Sequence, residues 1–370
     1  MEDGRGVDGL HGHQYSLMNE HELSDREQHV LEAVVRNYIL SASPTGSRFL
    51  SKQPDFDFSP ATIRNIMGDL EDRDFIAQPH TSAGRIPTDR GYRYYVECMM
   101  KSIELPGEVK NQIKDLLVKV EPSDLHLLME ATSKALSRAT HQMGIILAPK
   151  LGLGVFRNVH IYPLESQRVL LHLTIDSGFV KTMVLELKTE VSPDRLERAC
   201  QVINERFFGM TLSEMLKKED SFFDTVEPYE LGLIRLFVPS IKKLIEAEQN
   251  DAVYTEGETN IVMQPEFASH DQVSAVIEIL EEKRLLLHLF EKEQVNKSGV
   301  IISIGGENSD GQLQSFSVVK TKYQVGHLEG TLGVMGPKRM PYPFLVSAVD
   351  YTAKLLGEMY SRTSPPTPLR

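Results

Sequence analysis

The stretch SPATIRNIMGDLEDRDFIAQPHTSAGRIPTDRGYRYYV, residues 59–96, decides how the first third of the chain is read. Ser59 suits an N-cap, Pro60 the first helical position, and Ile63, Met67 and Leu70 then recur at helical spacing. The opposite face carries Thr62, Arg64, Asn65 and Asp69. Behind this helix lies a hairpin-sized segment: Phe75-Ile76-Ala77-Gln78, then His80-Thr81-Ser82-Ala83-Gly84-Arg85, then Ile86-Pro87-Thr88. Gly84 is expected to take a positive φ at a turn, and Pro87 to deny an edge hydrogen bond to another chain. Thr88 caps a further helix with Tyr92, Tyr95, Val96 and Met99 on its apolar side.

Upstream, Ser24 and Glu27 have the spacing of a capping box, and Val30, Leu31, Val34, Val35 and Tyr38 continue as a helical stripe until Ser41-Ala42-Ser43-Pro44. A second short helix is expected over Thr45–Lys52, stopped by Gln53-Pro54. Three helices followed by a two-stranded flap predict a winged helix-turn-helix domain over 23–104.

Such a domain meets DNA with its third helix. The exposed N–H groups at that helix's start suit a phosphate, and the Ser59 and Thr62 hydroxyls add to this. Arg64 and Asn65 are side chains that read guanine and adenine edges in the major groove. His80, Ser82 and Arg85 on the flap, and Arg90 and Arg93 on the following helix, are placed to reach phosphate or minor groove. Each residue also has a plainer reading: a cap, a solvated helix face, a polar hairpin tip.

Composition opposes DNA binding at first sight. The 370-residue chain has a formal charge of −12, and between Glu20 and Glu104 there are 14 Asp and Glu against 10 Lys and Arg. Distribution is what the DNA reading rests on, since a few aimed cations neutralise phosphates whatever the distant charge. Hydrophobic content of 41% and charged content of 25% fit a chain of two or three globular domains. No apolar run approaches the ~18 residues that a membrane span needs. The acidic, polar residues 1–22 lack an apolar signal core and are expected to be a disordered tail, which points to a cytoplasmic protein.

After the Leu105-Pro106-Gly107 linker, residues 109–142 read as helical with a break near Pro122. Strands follow at Val155–Tyr162, Arg168–Ile175 and Val180–Leu187, the last two joined by a turn at Asp176-Ser177-Gly178. Residues 192–246 turn helical again, 246–260 are an acidic segment, and a helix is expected over Ser269–Glu293. Strands at Val300–Ile304, Ser315–Lys320 and Thr331–Met335 precede a helix at Phe344–Tyr360. The order reads as an α+β chain: one α/β module, 107–191 and 263–362, interrupted by a helical insert at 192–262, with a tail at 363–370.

Catalytic and metal chemistry find little footing. Leu151-Gly152-Leu153-Gly154 and Ile304-Gly305-Gly306-Glu307 lack the spacing of a phosphate-binding loop. Asp176-Ser177 has no identifiable base, and His11, His13 and His21 lie in the tail. Cys98 and Cys200 have no CxxC companion. No catalytic residue, cofactor or metal is expected.

Ser59-Pro60-Ala61-Thr62-Ile63-Arg64-Asn65-Ile66-Met67, Pro79 to Thr88 with Gly91-Tyr92-Arg93, and Leu332-Gly333-Val334-Met335-Gly336-Pro337-Lys338-Arg339-Met340 together resemble the heat-inducible transcription repressor family HrcA. The resemblance runs from about Leu23 to Tyr360. It implies a winged helix, then a GAF-like domain carrying an inserted dimerising domain. It also implies a homodimer on double-stranded DNA at an inverted repeat, the CIRCE element of chaperone operons, and help from the chaperonin GroEL in maintaining active repressor. Heat then relieves repression by occupying the chaperonin with unfolded clients. Two features depart from the family: Asp74 stands where a glycine is common, and residues 1–22 lie outside the pattern. A ligand-responsive regulator, with a small molecule in the GAF-like module, is the second functional class left open. In it, Gly336-Pro337-Lys338-Arg339 lines the pocket; otherwise that segment connects strand to helix.

Overall fold

The computed structural model describes residues 23–80, 83–120, 124–165, 167–176, 180–187, 189–217, 237–243, 252–268, 270–291, 299–308 and 310–361. The chain divides into two compact units, Met1–Lys101 and Ser102–Arg370. Helical and sheet elements are mixed, as the sequence predicts.

In the first unit, helix α1 (Asp25–Ser41) starts at the expected capping box. The Ser24 side chain accepts from the Glu27 N–H, and the Glu27 carboxylate accepts from the Ser24 N–H at 2.7 Å. It buries Val30, Leu31, Val34 and Val35 and ends with Ala42 in the left-handed region at φ 52°. Helix α3 (Pro60–Asp72) has the predicted Ser59 cap and Pro60 start, and buries Ile63, Ile66, Met67 and Leu70. Between them, α2 is shorter than expected. It spans Ser47–Leu50 with Gly46 at its N-cap, because Thr45 is held in an extended pairing with Arg85 and is not helical.

Strands β1 (Ile76–Ala77) and β2 (Ile86–Pro87) pair antiparallel, Ile76 opposite Pro87 and Ala77 opposite Ile86. The Thr88 side chain then caps α4 (Asp89–Tyr94), which runs on into a π-helical turn at Tyr95–Met99. Tyr92, Tyr94 and Tyr95 are buried, and the Tyr94 ring meets Phe75 edge-on at 5.4 Å. The positive φ expected at Gly84 does not occur; it falls instead at Asp74, φ 59°, in the turn that leaves α3. Gly84 is required for a different reason. A Cβ there would stand 2.4 Å from the Thr45 carbonyl oxygen.

The second unit opens with α5 (Gly107–Leu117) and α6 (Leu125–Thr140), then β3 (Met143–Leu147). A three-stranded sheet follows, β4 (Phe156–Pro163), β5 (Arg168–Ile175) and β6 (Val180–Glu186), with α7 (Pro193–Phe207) and α8 (Leu212–Lys217). Strand β7 (Val253–Glu256), α9 (Glu258–Val262), α10 (His270–Glu281), α11 (Lys283–Glu291), β8 (Val300–Ile304), β9 (Phe316–Val325), β10 (Leu328–Pro337) and α12 (Tyr342–Ser361) complete it.

Two sheets result. The larger is antiparallel throughout, in the order β7-β3-β10-β9-β8. One face is covered by α6 and α12. On the other, Met143, Ile145 and Leu147 join residues of α9, α10 and α11, among them Ile261, Val276, Leu286 and Phe290, in one apolar cluster. Strand β3 is buried on both faces, so it reads as a short continuous apolar run without alternation, which periodicity alone does not tell from the end of the helix before it. Strand β7 lies inside the segment read only as acidic. There it pairs with β3, Leu147 opposite Val253.

The smaller sheet, β4-β5-β6, shares no strand with the larger one. Among the described residues its three strands, expected in the same module as β8 to β10, pair with one another, and α7 packs against β4. This whole body lies between the end of β3 and the start of β7, where the Ala148 N–H donates to the Ala252 carbonyl at 2.8 Å. The Asn204 side chain accepts from the Val159 N–H at 2.7 Å and donates to the Val159 carbonyl at 3.1 Å, satisfying the open edge of β4. Ser177 and Gly178 of the expected β5–β6 turn, and residues 218–236 and 244–251 of the expected helical stretch, lie outside the described residues, as do residues 1–22 and 362–370.

Candidate nucleic-acid interface

Helix α3 presents its polar face because its apolar stripe is used internally. Ile63, Ile66, Met67 and Leu70 are buried against α1 and α2, and this leaves Arg64, Asn65 and Asp69 on the outer side, with Arg64 and Asn65 exposed. At its N-terminus the Ser59 hydroxyl accepts from the Thr62 N–H at 3.1 Å and lies 2.9 Å from the Thr62 hydroxyl. The two hydroxyls are therefore engaged in the cap. The Ala61 N–H belongs to the helix's first turn, which has no i−4 carbonyl of its own.

The hairpin residues are placed less uniformly. His80 is exposed at the tip; its carbonyl accepts from the Ala83 N–H at 2.8 Å. Ser82 lies outside the described residues. Arg85 is half-buried: its Nε and Nη2 both donate to Glu71 Oε2, at 2.9 and 2.8 Å, from the last turn of α3. Arg90 donates to the Arg73 carbonyl at 3.0 Å and lies over the Phe75 ring at 4.6 Å. The Arg93 side chain is 12% exposed and reaches Glu97 at 3.6 Å. The structure thus brings Ser59, Thr62, Arg64 and Asn65 together on one helix, while Arg85, Arg90 and Arg93 are tied into the unit that carries it.

Two further exposed cations lie on or just after the helix that packs on α3 and have no motif of their own in the sequence. Arg48 on α2 and Lys52 just after it are both exposed, and α2 packs on α3. In the helix-turn-helix expected from the sequence, the helix before the reading helix crosses the DNA backbone, and that geometry is the signal by which they can be found. Glu71 and Thr45 escape a sequence reading because their partners are distant along the chain.

The tail-end motif has a structural account. A Cβ at Gly336 would stand 1.9 Å from the Gln142 side-chain oxygen, Arg339 binds Glu266 and Gln264, and Met340 is fully buried. The segment joins β10 to α12. Among the described residues no helix is long and apolar enough to cross a membrane.

Comparison with known proteins gives the class to which a chain with this fold and this exposed helix face belongs. A family model described as HrcA protein C terminal domain matches residues 126–346. The chain is 38% identical to the heat-inducible transcription repressor HrcA of Chlorobium phaeobacteroides strain BS1, over 92% of this chain and 99% of that protein. It is 32% identical to the protein of the same name from Halalkalibacterium halodurans, over 92% and 100%. A crystal structure of a hypothetical protein shares the fold, with a TM-score of 0.60 and 23% identity over 93% of this chain and 100% of that one. The chain belongs to the HrcA family of heat-inducible transcription repressors.

Proposed function

We propose that this protein represses chaperone operons by binding, as a homodimer, an inverted-repeat operator of the CIRCE type, and that heat releases it through titration of the chaperonin. In this reading unit one is a winged helix-turn-helix, α3 lies in the major groove and the β1–β2 hairpin is the wing. The observation that carries it is the α3 face: Arg64 and Asn65 exposed side by side on a helix whose apolar face is packed. The five-stranded module of the second unit is the GAF-like domain, and the dimerising insert, read from the sequence as 192–262, is the body between Ala148 and Ala252, because β4–β6 form their own sheet and β7 pairs with β3. A twofold protein matches an inverted repeat.

Nothing in this reading makes one residue the thermometer. Warming lowers the population of folded dimer, and chaperonin with nucleotide restores it. The test measures operator binding and soluble dimer together across a temperature series, with and without chaperonin. The expected result is that binding follows dimer amount and that chaperonin raises both. A constant dimer whose affinity falls on warming, unmoved by chaperonin, would point to an internal switch or a small-molecule ligand in the GAF-like domain.

A further inference from the structure

We infer that Glu71 and Arg85 are positioning residues for operator binding: together they fix the hairpin at a set offset from α3, and Arg85 does not itself bind phosphate. The inference rests on the reading of α3 and the hairpin as the DNA-binding surface, and it assigns Arg85 a role different from the one its place on the flap suggests.

Three separate segments meet at Arg85. Its main chain exchanges hydrogen bonds with Thr45, 2.8 Å in each direction, in the turn before α2. The Thr45 hydroxyl accepts from the Asn37 side chain of α1 at 2.8 Å. Its guanidinium holds Glu71, in the final turn of α3, through two donors on one carboxylate oxygen. Arg85 and Glu71 are 21% and 32% exposed. The hairpin is only two residue pairs long, so its own ladder holds it weakly, and its strands pack on α1 and α3. Beyond that packing, its base is tied polar group by polar group through this chain of interactions, from α1 through Thr45 and Arg85 to α3. A surface that touches two parts of a duplex binds best when their offset is built in beforehand, since ordering them on binding costs affinity.

The competing role for Arg85, direct binding of phosphate, predicts the opposite sign. There Glu71 is a competitor that occupies the guanidinium, so Glu71→Gln strengthens DNA binding and Arg85→Ala lowers the salt slope by about 1. On the positioning role, Glu71→Gln weakens operator binding by about fivefold, the upper end for a half-exposed ion pair. Affinity for scrambled duplex and the salt slope stay unchanged.

The experiment uses the full-length protein and measures fluorescence anisotropy on an inverted-repeat duplex and on a scrambled duplex at several salt concentrations. The variants are Glu71→Gln, Arg85→Ala, Arg85→Lys and the exchange Glu71→Arg with Arg85→Glu, with urea melts to confirm folding. Lys keeps the charge but not the fork geometry. The expected result is loss of operator preference in the first three variants and its recovery in the exchange, with salt slopes as in the wild type. Retained preference in Glu71→Gln, or rescue by Arg85→Lys, overturns the inference while leaving the DNA-binding reading intact. A wild-type protein with no preference for the inverted repeat overturns both.

Discussion

Thr45 and Arg85, forty positions apart in the chain, exchange both main-chain hydrogen bonds at 2.8 Å, and Gly84 lies against the Thr45 carbonyl. A methyl group at Gly84 cannot be accommodated by a side-chain rotation, because what it meets is backbone at 2.4 Å. Gly84→Ala must therefore break the Thr45–Arg85 pairing or displace the hairpin. The expected cost is roughly 1–3 kcal/mol, as for other overpacking substitutions. Urea unfolding followed by tyrosine fluorescence suits the test, since the chain has no Trp and Tyr92, Tyr94 and Tyr95 lie in this unit's core. An unchanged midpoint, with operator binding also unchanged, would mean that the hairpin does not need this close approach.

Arg64 and Asn65 lie on the outer side of a helix whose fold rests on the opposite face, so removing either should leave stability within about 0.5 kcal/mol. Arg64→Ala or Asn65→Ala should reduce preference for the operator by roughly 1–3 kcal/mol for each bidentate pairing with a base that the substitution removes. Competition between operator and scrambled duplex at fixed salt reads this directly. Equal weakening on both duplexes would assign the two side chains to phosphate.

Helices α1 and α3 are legible in the sequence because each carries its own start signal and one apolar stripe. The Ser24–Glu27 box and the Ser59-Pro60 pair are local features, and no distant residue is needed to specify them. Strands β3 and β7 are not legible, for opposite reasons. Met143–Leu147 is buried on both faces and shows no period of two, whereas Val253–Glu256 lies in polar sequence and is a strand because β3 offers it an edge. Thr45 reads as the start of a helix, and only Arg85, forty positions away, makes it extended. The same limit applies to the candidate interface. The α3 residues sit on one predicted helix, but the pairing of Arg85 with Glu71 needs the hairpin in place before it can be seen. Sheet membership is hidden too: β4, β5 and β6 close on one another as antiparallel neighbours, and nothing in them says which sheet they join.

Glu27 ties the start of α1 to Arg73 and is expected to give the first unit a pH-dependent share of stability. Burial by itself raises the carboxyl's pKa, but hydrogen bonds from the Ser24 side chain and main chain, and the nearby Arg73 charge, outweigh it and leave the group below the ordinary carboxylate value. A group whose folded pKa is depressed stabilises the fold above its unfolded pKa, and loses that contribution as pH falls through the folded value. Gln keeps the capping-box acceptor but not the charge, so Glu27→Gln should cost up to about 1 kcal/mol near neutral pH, and the gap to wild type should close at acid pH. Urea melts of both proteins from neutral to acid pH provide the check. A gap that stays constant with pH would show that the fit of the side chain, not its charge, carries the effect.

The body between β3 and β7 leaves the larger sheet and returns to it at one point. Its two ends meet at the Ala148 N–H to Ala252 carbonyl hydrogen bond of 2.8 Å, next to the Leu147–Val253 pair of an antiparallel ladder. Chain inserted in this way can be removed without stretching what remains, and a short turn of the asparagine-glycine type can close β3 and β7 into a hairpin. Replacing residues 149–251 by such a turn should therefore leave the five-stranded sheet and its cover of α6 and α12 folded. If the excised body supplies the dimer interface, sedimentation should report a monomer at concentrations where the full chain is a dimer. Binding to the full inverted repeat should then fall toward that of a single half-site, because one protomer engages one half. Amide exchange in β9 and β10 tells an intact sheet from a damaged one: protection there should match the full-length protein. A folded shortened chain that still sediments as a dimer, with unchanged operator affinity, would move the dimer interface to the five-stranded module or to the first unit.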